Sequence, residues 1–278
     1  MNGLICLDID GTLTSELTHI PAEVASCLHR LYKKKWQIAL VTGRTFSFAS
    51  TLLEALHFPY TLALQNGADI LSMPNKKLLR RCYIKAPLIG KLSQIYEDQK
   101  EEFIIYAGYE RGDFCYFRPE RFSETLLLYL YELKELSKAP WEALKEFAFD
   151  QGQEFPLIKC FGSKELMLFI ASRLAAAAEL TTSVIKDPIC PELFLNLVTS
   201  SSASKGTALC FLRDHFKAPH VIAAGDDRND LPMLQVADQK IVMANAPDEV
   251  KEVATLIARP ALELGIIEAL ELATKLDF

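Results

Sequence analysis

Leu4-Ile5-Cys6-Leu7-Asp8-Ile9-Asp10-Gly11-Thr12-Leu13 is an apolar run of strand length that stops at two aspartates one residue apart and breaks into a Gly-Thr turn. Side chains alternate between the two faces of a strand, so Asp8 and Asp10 are expected to point the same way. A strand ending there sets both carboxylates in the crevice beyond its carboxyl end, where open α/β sheets bind ligands. Two like charges so close repel, which calls for a bound cation or a retained proton. A hard, oxygen-liganded ion such as Mg2+ meets that need.

The neighbouring sequence continues in alternation. Pro21-Ala22-Glu23 opens a helix running to about Lys35, with Pro at its first turn. Trp36 to Val41 is an apolar strand closed by Thr42-Gly43-Arg44, and an amphipathic helix follows from about Phe46 to Leu56. A short strand, Tyr60 to Leu64, ends at Gln65-Asn66-Gly67. Strands alternating with helices imply right-handed crossovers and a parallel sheet, so the fold class is α/β with a Rossmann-like, doubly wound core. All carboxyl strand ends then fall on one edge.

From about residue 80 the pattern changes. A helix over Lys85 to Gln99, a hairpin turning at Glu110-Arg111-Gly112-Asp113, and a helix over Ser123 to Leu136 are expected. A strand over Leu157 to Phe161 and a helix over Lys164 to Leu180 follow, the Ala175 to Ala178 run being a good helix former. Strand-like Ser183 to Ile185 and Leu193 to Val198 close this α+β lobe. The doubly wound pattern resumes with a helix from Lys205 and a strand from His220 that ends at Gly225-Asp226-Asp227, and a closing helix is expected over Ala261 to Leu276. The expected organisation is core over 1–82, inserted lobe over 83–198 and core again over 199–278.

A net charge of −6 supplies no basic footprint for a phosphate backbone, which argues against nucleic acid as a partner. Lys33-Lys34-Lys35 reads as a solvated helix end. The seven cysteines contain no C-x-x-C pair and the five histidines have no ligand spacing, which suits reduced thiols and no zinc site. The amino terminus lacks a basic region before its apolar run, and Leu166 to Leu180 is interrupted by Arg173. A cytoplasmic protein without a membrane partner is expected. No sustained heptad assigns an oligomeric state.

Four short signals fall at expected strand or helix ends: Asp8-x-Asp10-Gly-Thr, Thr42-Gly43-Arg44, Lys205-Gly206, and Gly225-Asp226-Asp227-Arg228-Asn229-Asp230. Together they suit phosphoryl transfer. A carboxylate held in line with phosphorus forms an aspartyl-phosphate and splits one displacement into two steps. Mg2+ on Asp8, Asp226 and a backbone carbonyl would offset repulsion between that carboxylate and the anionic group. Lys205 adds a point charge, while the Thr42 hydroxyl and nearby amides add hydrogen bonds. Asp10 is placed to protonate the leaving alcohol and then to activate water.

This set resembles the haloacid dehalogenase superfamily of phosphatases, in the sugar-phosphatase branch called Cof-type. The resemblance implies that Asp8 is the nucleophile and Asp10 the general acid/base, which also lends the metal its backbone carbonyl. It implies that Thr42 binds phosphate, Lys205 is the lysine of the third motif, Asp226 is a magnesium ligand, Asn229 lies near the phosphate, and Asp230 supports the metal shell. Thr42-Gly43-Arg44 and Gln65-Asn66-Gly67-Ala68 are similar to the branch's T-G-R and N-G-A signatures. These place Gly43, Arg44 and Asn66 among the phosphate-site candidates. Arg44 either reaches the substrate or braces the helix after it. The insertion falls where this branch carries its cap. Tyr116, Arg118 and Lys159 in that lobe suit substrate reading and edge-strand roles equally. Ala244 replaces the branch's usual Gly, and Ser200 to Ser204 lacks its usual Pro and Gly. The resemblance implies hydrolysis of a small phosphorylated metabolite, with sugar phosphates as the expected class. The alternatives are a phosphomutase and, in another class, a non-catalytic phosphate-ligand sensor.

Overall fold

The computed structural model describes residues 2–275. The chain contacts divide it into two compact units. One holds the residues up to Gly43, Ala49–Arg81 and those from Ser204 onward; the other holds Arg44–Phe48 and Cys82–Ala203.

The first unit is built on an eight-stranded sheet. Its spatial order is Leu256–Ala258, Gln239–Met243, Val221–Gly225, Gly3–Leu7, Trp36–Val41, Tyr60–Leu64, Asp69–Met73 and Lys77–Arg81. The first six strands are mutually parallel. The Gly3–Leu7 strand lies between Val221–Gly225 and Trp36–Val41, with Leu7 opposite both Ala224 and Leu40. Every residue of this strand is buried, as expected where helices cover both faces of a sheet. Leu4, Cys6, Ala39, Val41 and Ala223 pack with Leu209 and Leu212 of the Lys205–Phe216 helix and with Met233 and Leu234. Burying each of the leucine, valine and methionine side chains contributes about 1.5–3 kcal/mol.

Two strands were not foreseen beside Tyr60–Leu64. Asp69–Met73 and Lys77–Arg81 form an antiparallel hairpin on that edge. The outer strand, Lys77-Leu78-Leu79-Arg80-Arg81, is only partly covered and lacks a clean alternation, so its sequence carries little strand signal. The Leu256–Ala258 strand at the opposite edge has three residues, too few to carry an alternation.

The second unit has a six-stranded sheet ordered Leu180–Lys186, Phe194–Ser200, Leu157–Gly162, Phe103–Tyr106, Cys115–Phe117 and Trp141–Ala143. Only the last pair is parallel. Leu88, Ile89 and Leu92 of the Ala86–Ile95 helix join Met167, Ile170 and Leu174 of the Lys164–Leu174 helix in one apolar cluster. Leu126, Tyr129, Leu130 and Leu133 of the Glu124–Ser137 helix pack in a second cluster.

Helix expectations are corrected at several ends, and the helix expected over Lys85 to Gln99 is Ala86–Ile95. The helix starting at Lys164 stops at Leu174, and Leu180–Lys186 is strand. Seven residues of Leu180–Lys186 pair with Phe194–Ser200, and that tertiary pairing overrides the alanine run's propensity. The helix from Phe46 stops at Leu53, short of Leu56. The carboxy-terminal helix is Gly265–Ala273, and Leu276 lies outside the described residues. Among the described residues no helix is long and apolar enough to cross a membrane, and all seven cysteines are unpaired.

Candidate active site

Four neighbouring parallel strands, Val221–Gly225, Gly3–Leu7, Trp36–Val41 and Tyr60–Leu64, deliver their following loops to one edge of the sheet. The Asp8 amide donates to the Ala224 carbonyl at 3.0 Å, carrying the ladder one residue past the strand. The Ile9 carbonyl then accepts from the amides of Thr12, Leu13 and Thr14, at 3.3, 2.9 and 3.2 Å, folding the chain into a tight turn. Gly11 sits in that turn with φ +77°, and a β-carbon there would collide with the Asp226 carboxylate. Glycine is therefore what lets the two acidic loops approach.

Asp230 organises the second acidic loop. Its Oδ2 accepts from the backbone amides of Asp226 and Asp227 at 2.9 and 3.1 Å. Its Oδ1 accepts from Lys205 Nζ at 2.5 Å. Lys205 Nζ also donates to Asp8 Oδ1, so one buried ammonium joins loops nearly two hundred positions apart in the chain. Lys205 is the first residue of its helix, whose start is held by a reciprocal cap between Ser204 and Thr207. Asp227 accepts from the Arg228 amide at 2.7 Å, a turn role.

Asp8, Asp226 and Asp230 each offer a carboxylate oxygen, and these oxygens lie within 4.8 Å of one another. Two buried acids, Asp8 and Asp230, and the half-buried Asp226 face one ammonium, so negative charge is in excess. Burial, followed by the Asp230 charge, raises the Asp8 carboxyl to about 8 despite Lys205. Burial, Asp8 and Asp230 hold Asp226 well above the ordinary carboxylate range. Burial alone would lower the Lys205 ammonium, but Asp230 and Asp8 push it above its usual value. The lysine stays charged, and the unbalanced charge falls on the acids.

The third part of the site centres on Thr42, which is fully buried. Its amide donates to the Ala63 carbonyl at 2.9 Å, and its carbonyl accepts from the Asn66 amide at 2.8 Å. Gln65, Asn66 and Gly67 all have positive φ, at 51°, 58° and 95°. Left-handed backbone costs about 1–2 kcal/mol at each non-glycine position. The turn presses Gly67 against Ala208 and the Ser204 carbonyl, at the amino end of the Lys205 helix. Asn229 Nδ2 donates to Asn66 Oδ1 at 3.3 Å, linking this turn to the acidic loop.

Thr42, Asn66, Lys205, Asp8, Asp226, Asn229 and Asp230 are thus tied into one network. Asp10 is half-buried and its backbone bridges to Thr14; its carboxylate is outside the three-acid group. Gly43 is half-buried at the strand end. Arg44 belongs to the second unit, where its guanidinium lies 4.4 Å from the Phe48 ring centroid and donates to the Phe48 carbonyl at 3.3 Å. The Ser204–Thr207 cap and the anchoring role of both Asp230 oxygens escaped the sequence reading. The Ser-x-x-Thr spacing at a helix start was the available signal for the first.

A family model for haloacid dehalogenase-like hydrolases matches residues 5–270. The chain belongs to that family. Among the curated relatives of this haloacid dehalogenase-like hydrolase, a 5-amino-6-(5-phospho-D-ribitylamino)uracil phosphatase of Bacillus subtilis is 24% identical, covering 94% of both chains. A second Bacillus subtilis phosphatase is also 24% identical, over 95% of this chain and 96% of its own. A solved haloacid dehalogenase-like hydrolase from B. subtilis superposes with a TM-score of 0.78 at 23% identity, covering 98% of this chain and 99% of that one. At that identity the structural likeness speaks for the fold, α/β with a parallel core.

Proposed function

We propose that this hydrolase is a Mg2+-dependent phosphatase of small phosphate monoesters, most plainly sugar phosphates, with Asp8 as nucleophile. One observation carries the reading: the buried Lys205 ammonium bridges Asp8 and Asp230 beside Asp226. A nucleophilic carboxylate, a phosphate-neutralising cation and spare acidic oxygens are what phosphoryl transfer onto an aspartate requires. The phosphatase names of the full-length relatives agree with it.

The donor set is all oxygen and carries more negative charge than Lys205 balances, which fits a hard divalent cation. Asp8, Asp226 and the Asp10 carbonyl would hold Mg2+, with Asp230 fixing the loop that carries Asp226. Bound there, the ion supplies charge neutralisation of the phosphoryl group.

In the first step an Asp8 oxygen attacks phosphorus as the bond to the leaving oxygen breaks, and Asp10 gives that oxygen its proton. In the second, Asp10 takes a proton from water, whose oxygen attacks the same phosphorus. Inorganic phosphate leaves and the Asp8 carboxylate is restored. Lys205, the Thr42 hydroxyl and Asn229 hold the phosphoryl oxygens throughout.

Phosphate release from a panel of sugar phosphates, with Mg2+ and with chelator, tests the reading. Asp8→Asn is expected to abolish release, and Asp10→Asn to slow it by about 10²–10⁴-fold. Turnover by the Asp8→Asn protein, or undiminished turnover in chelator, counts against it.

A further inference from the structure

Among the described residues of the first unit, two side chains bury polar atoms and have no partner of any kind: the Thr12 hydroxyl and the Gln65 carboxamide. Both belong to loops of the candidate site. Thr12 follows Asp10 by two residues, and Gln65 immediately precedes Asn66. Gln65 is 1% exposed, and neither its Nε2 nor its Oε1 is hydrogen-bonded.

A carboxamide enclosed without partners is costly to keep, and an apolar side chain of the same shape would fold more cheaply. Gln65 also stands on left-handed backbone at φ 51°, the first of three such residues in succession. Strain and unmet polarity gathered in one loop mark a position shaped for a ligand. The main chain beside it is already spoken for: the Asn66 amide bonds the Thr42 carbonyl, and the Asn66 side chain takes Asn229. What the turn leaves without a partner is the Gln65 carboxamide.

Its chemistry narrows the partner. Phosphoryl oxygens only accept hydrogen bonds, so a phosphate would meet Nε2 and leave Oε1 unpaired. A hydroxyl both donates and accepts, as the carboxamide does. We propose that Gln65 is a substrate-binding residue that reads a hydroxyl on the leaving alcohol of the phosphate ester. This rests on the phosphatase reading and adds to it a residue and a substrate criterion.

The test uses two esters that differ by one hydroxyl, 2-hydroxyethyl phosphate and ethyl phosphate, assayed with Mg2+ and with p-nitrophenyl phosphate as a control. The parent is expected to favour the hydroxylated ester in kcat/KM by at least about tenfold, since a site built for a hydroxyl penalises its loss. Gln65→Met and Gln65→Leu are expected to bring that ratio within about twofold and, without ester, to raise the melting temperature. If neither variant folds, Gln65→Asn, with its carboxamide one methylene back, is expected to lower the ratio. A parent ratio near one overturns the inference. So does a ratio that survives in the variants, including the case where they only melt earlier, as a purely structural or water-binding carboxamide predicts. No release from any of the three esters overturns the phosphatase reading itself, and the Gln65 assignment with it.

Discussion

Lys205 and its acids set the behaviour of single residues. A carboxyl lifted to about 8 on folding, as Asp8 is, holds a proton in the native state that the unfolded chain has released above about pH 4. The native state then binds more protons between those values, so stability falls as pH rises through that window. In chelator the melting temperature is expected to drop from about pH 5 to about pH 8, and Mg2+ is expected to flatten the slope; differential scanning calorimetry at several pH values checks both. Asp226→Asn removes one of the crowded charges. In chelator near pH 8 it is expected to melt higher than the parent, on the order of 2–4 °C, and to lose the rise that Mg2+ brings. Lys205→Ala does the reverse, leaving buried acids without their cation: turnover falls and the melting temperature drops more at pH 8 than at pH 5.5. The residues that gather here were legible beforehand, because Asp8, Asp226 and Lys205 are chemically conspicuous residues at strand and helix ends. Their pairing was not, since no spacing in the chain says that one ammonium reaches both Asp8 and Asp230.

At the level of strands and helices, legibility followed burial. Trp36–Val41 and Tyr60–Leu64, buried along nearly their whole length, have the bounds their apolar runs suggested. Lys77–Arg81 and Leu256–Ala258 lie at the sheet edges with mixed exposure, and no periodicity marked them. The end of the Val221–Gly225 strand shows how tightly element and site are joined. A β-carbon on Gly225 would lie 2.5 Å from Asp230 Cβ and Cγ, and Asp230 is pinned by two amides and Lys205. Gly225→Ala is expected to cost about 1–3 kcal/mol in a urea titration and to cut turnover, because the pinned acid must shift. Unchanged stability and turnover would show the loop to be softer than its bonds suggest.

Over the whole molecule, the chain leaves the first unit at Arg81 and re-enters at Ser204. Arg80 Nη1 donates to the Thr207 carbonyl at 2.9 Å, so exit and return lie side by side. Joining residue 81 to residue 204 through a short Gly-Ser linker is expected to give a core that unfolds cooperatively and melts higher with Mg2+. A gradual melt indifferent to Mg2+ is the contrary outcome. The placing of Gly3–Leu7 between Trp36–Val41 and Val221–Gly225 has a consequence for synthesis. Residues 8–220 separate its last residue from the first of its later neighbour. At about 5–20 residues per second, one flank of that apolar ribbon waits on the order of ten seconds or more after leaving the ribosome. Until then its bare amides and carbonyls are open to any other nascent chain. Solubility during translation should therefore depend on a chaperone that shields this flank, and production should suffer most when elongation is slowed before codon 221.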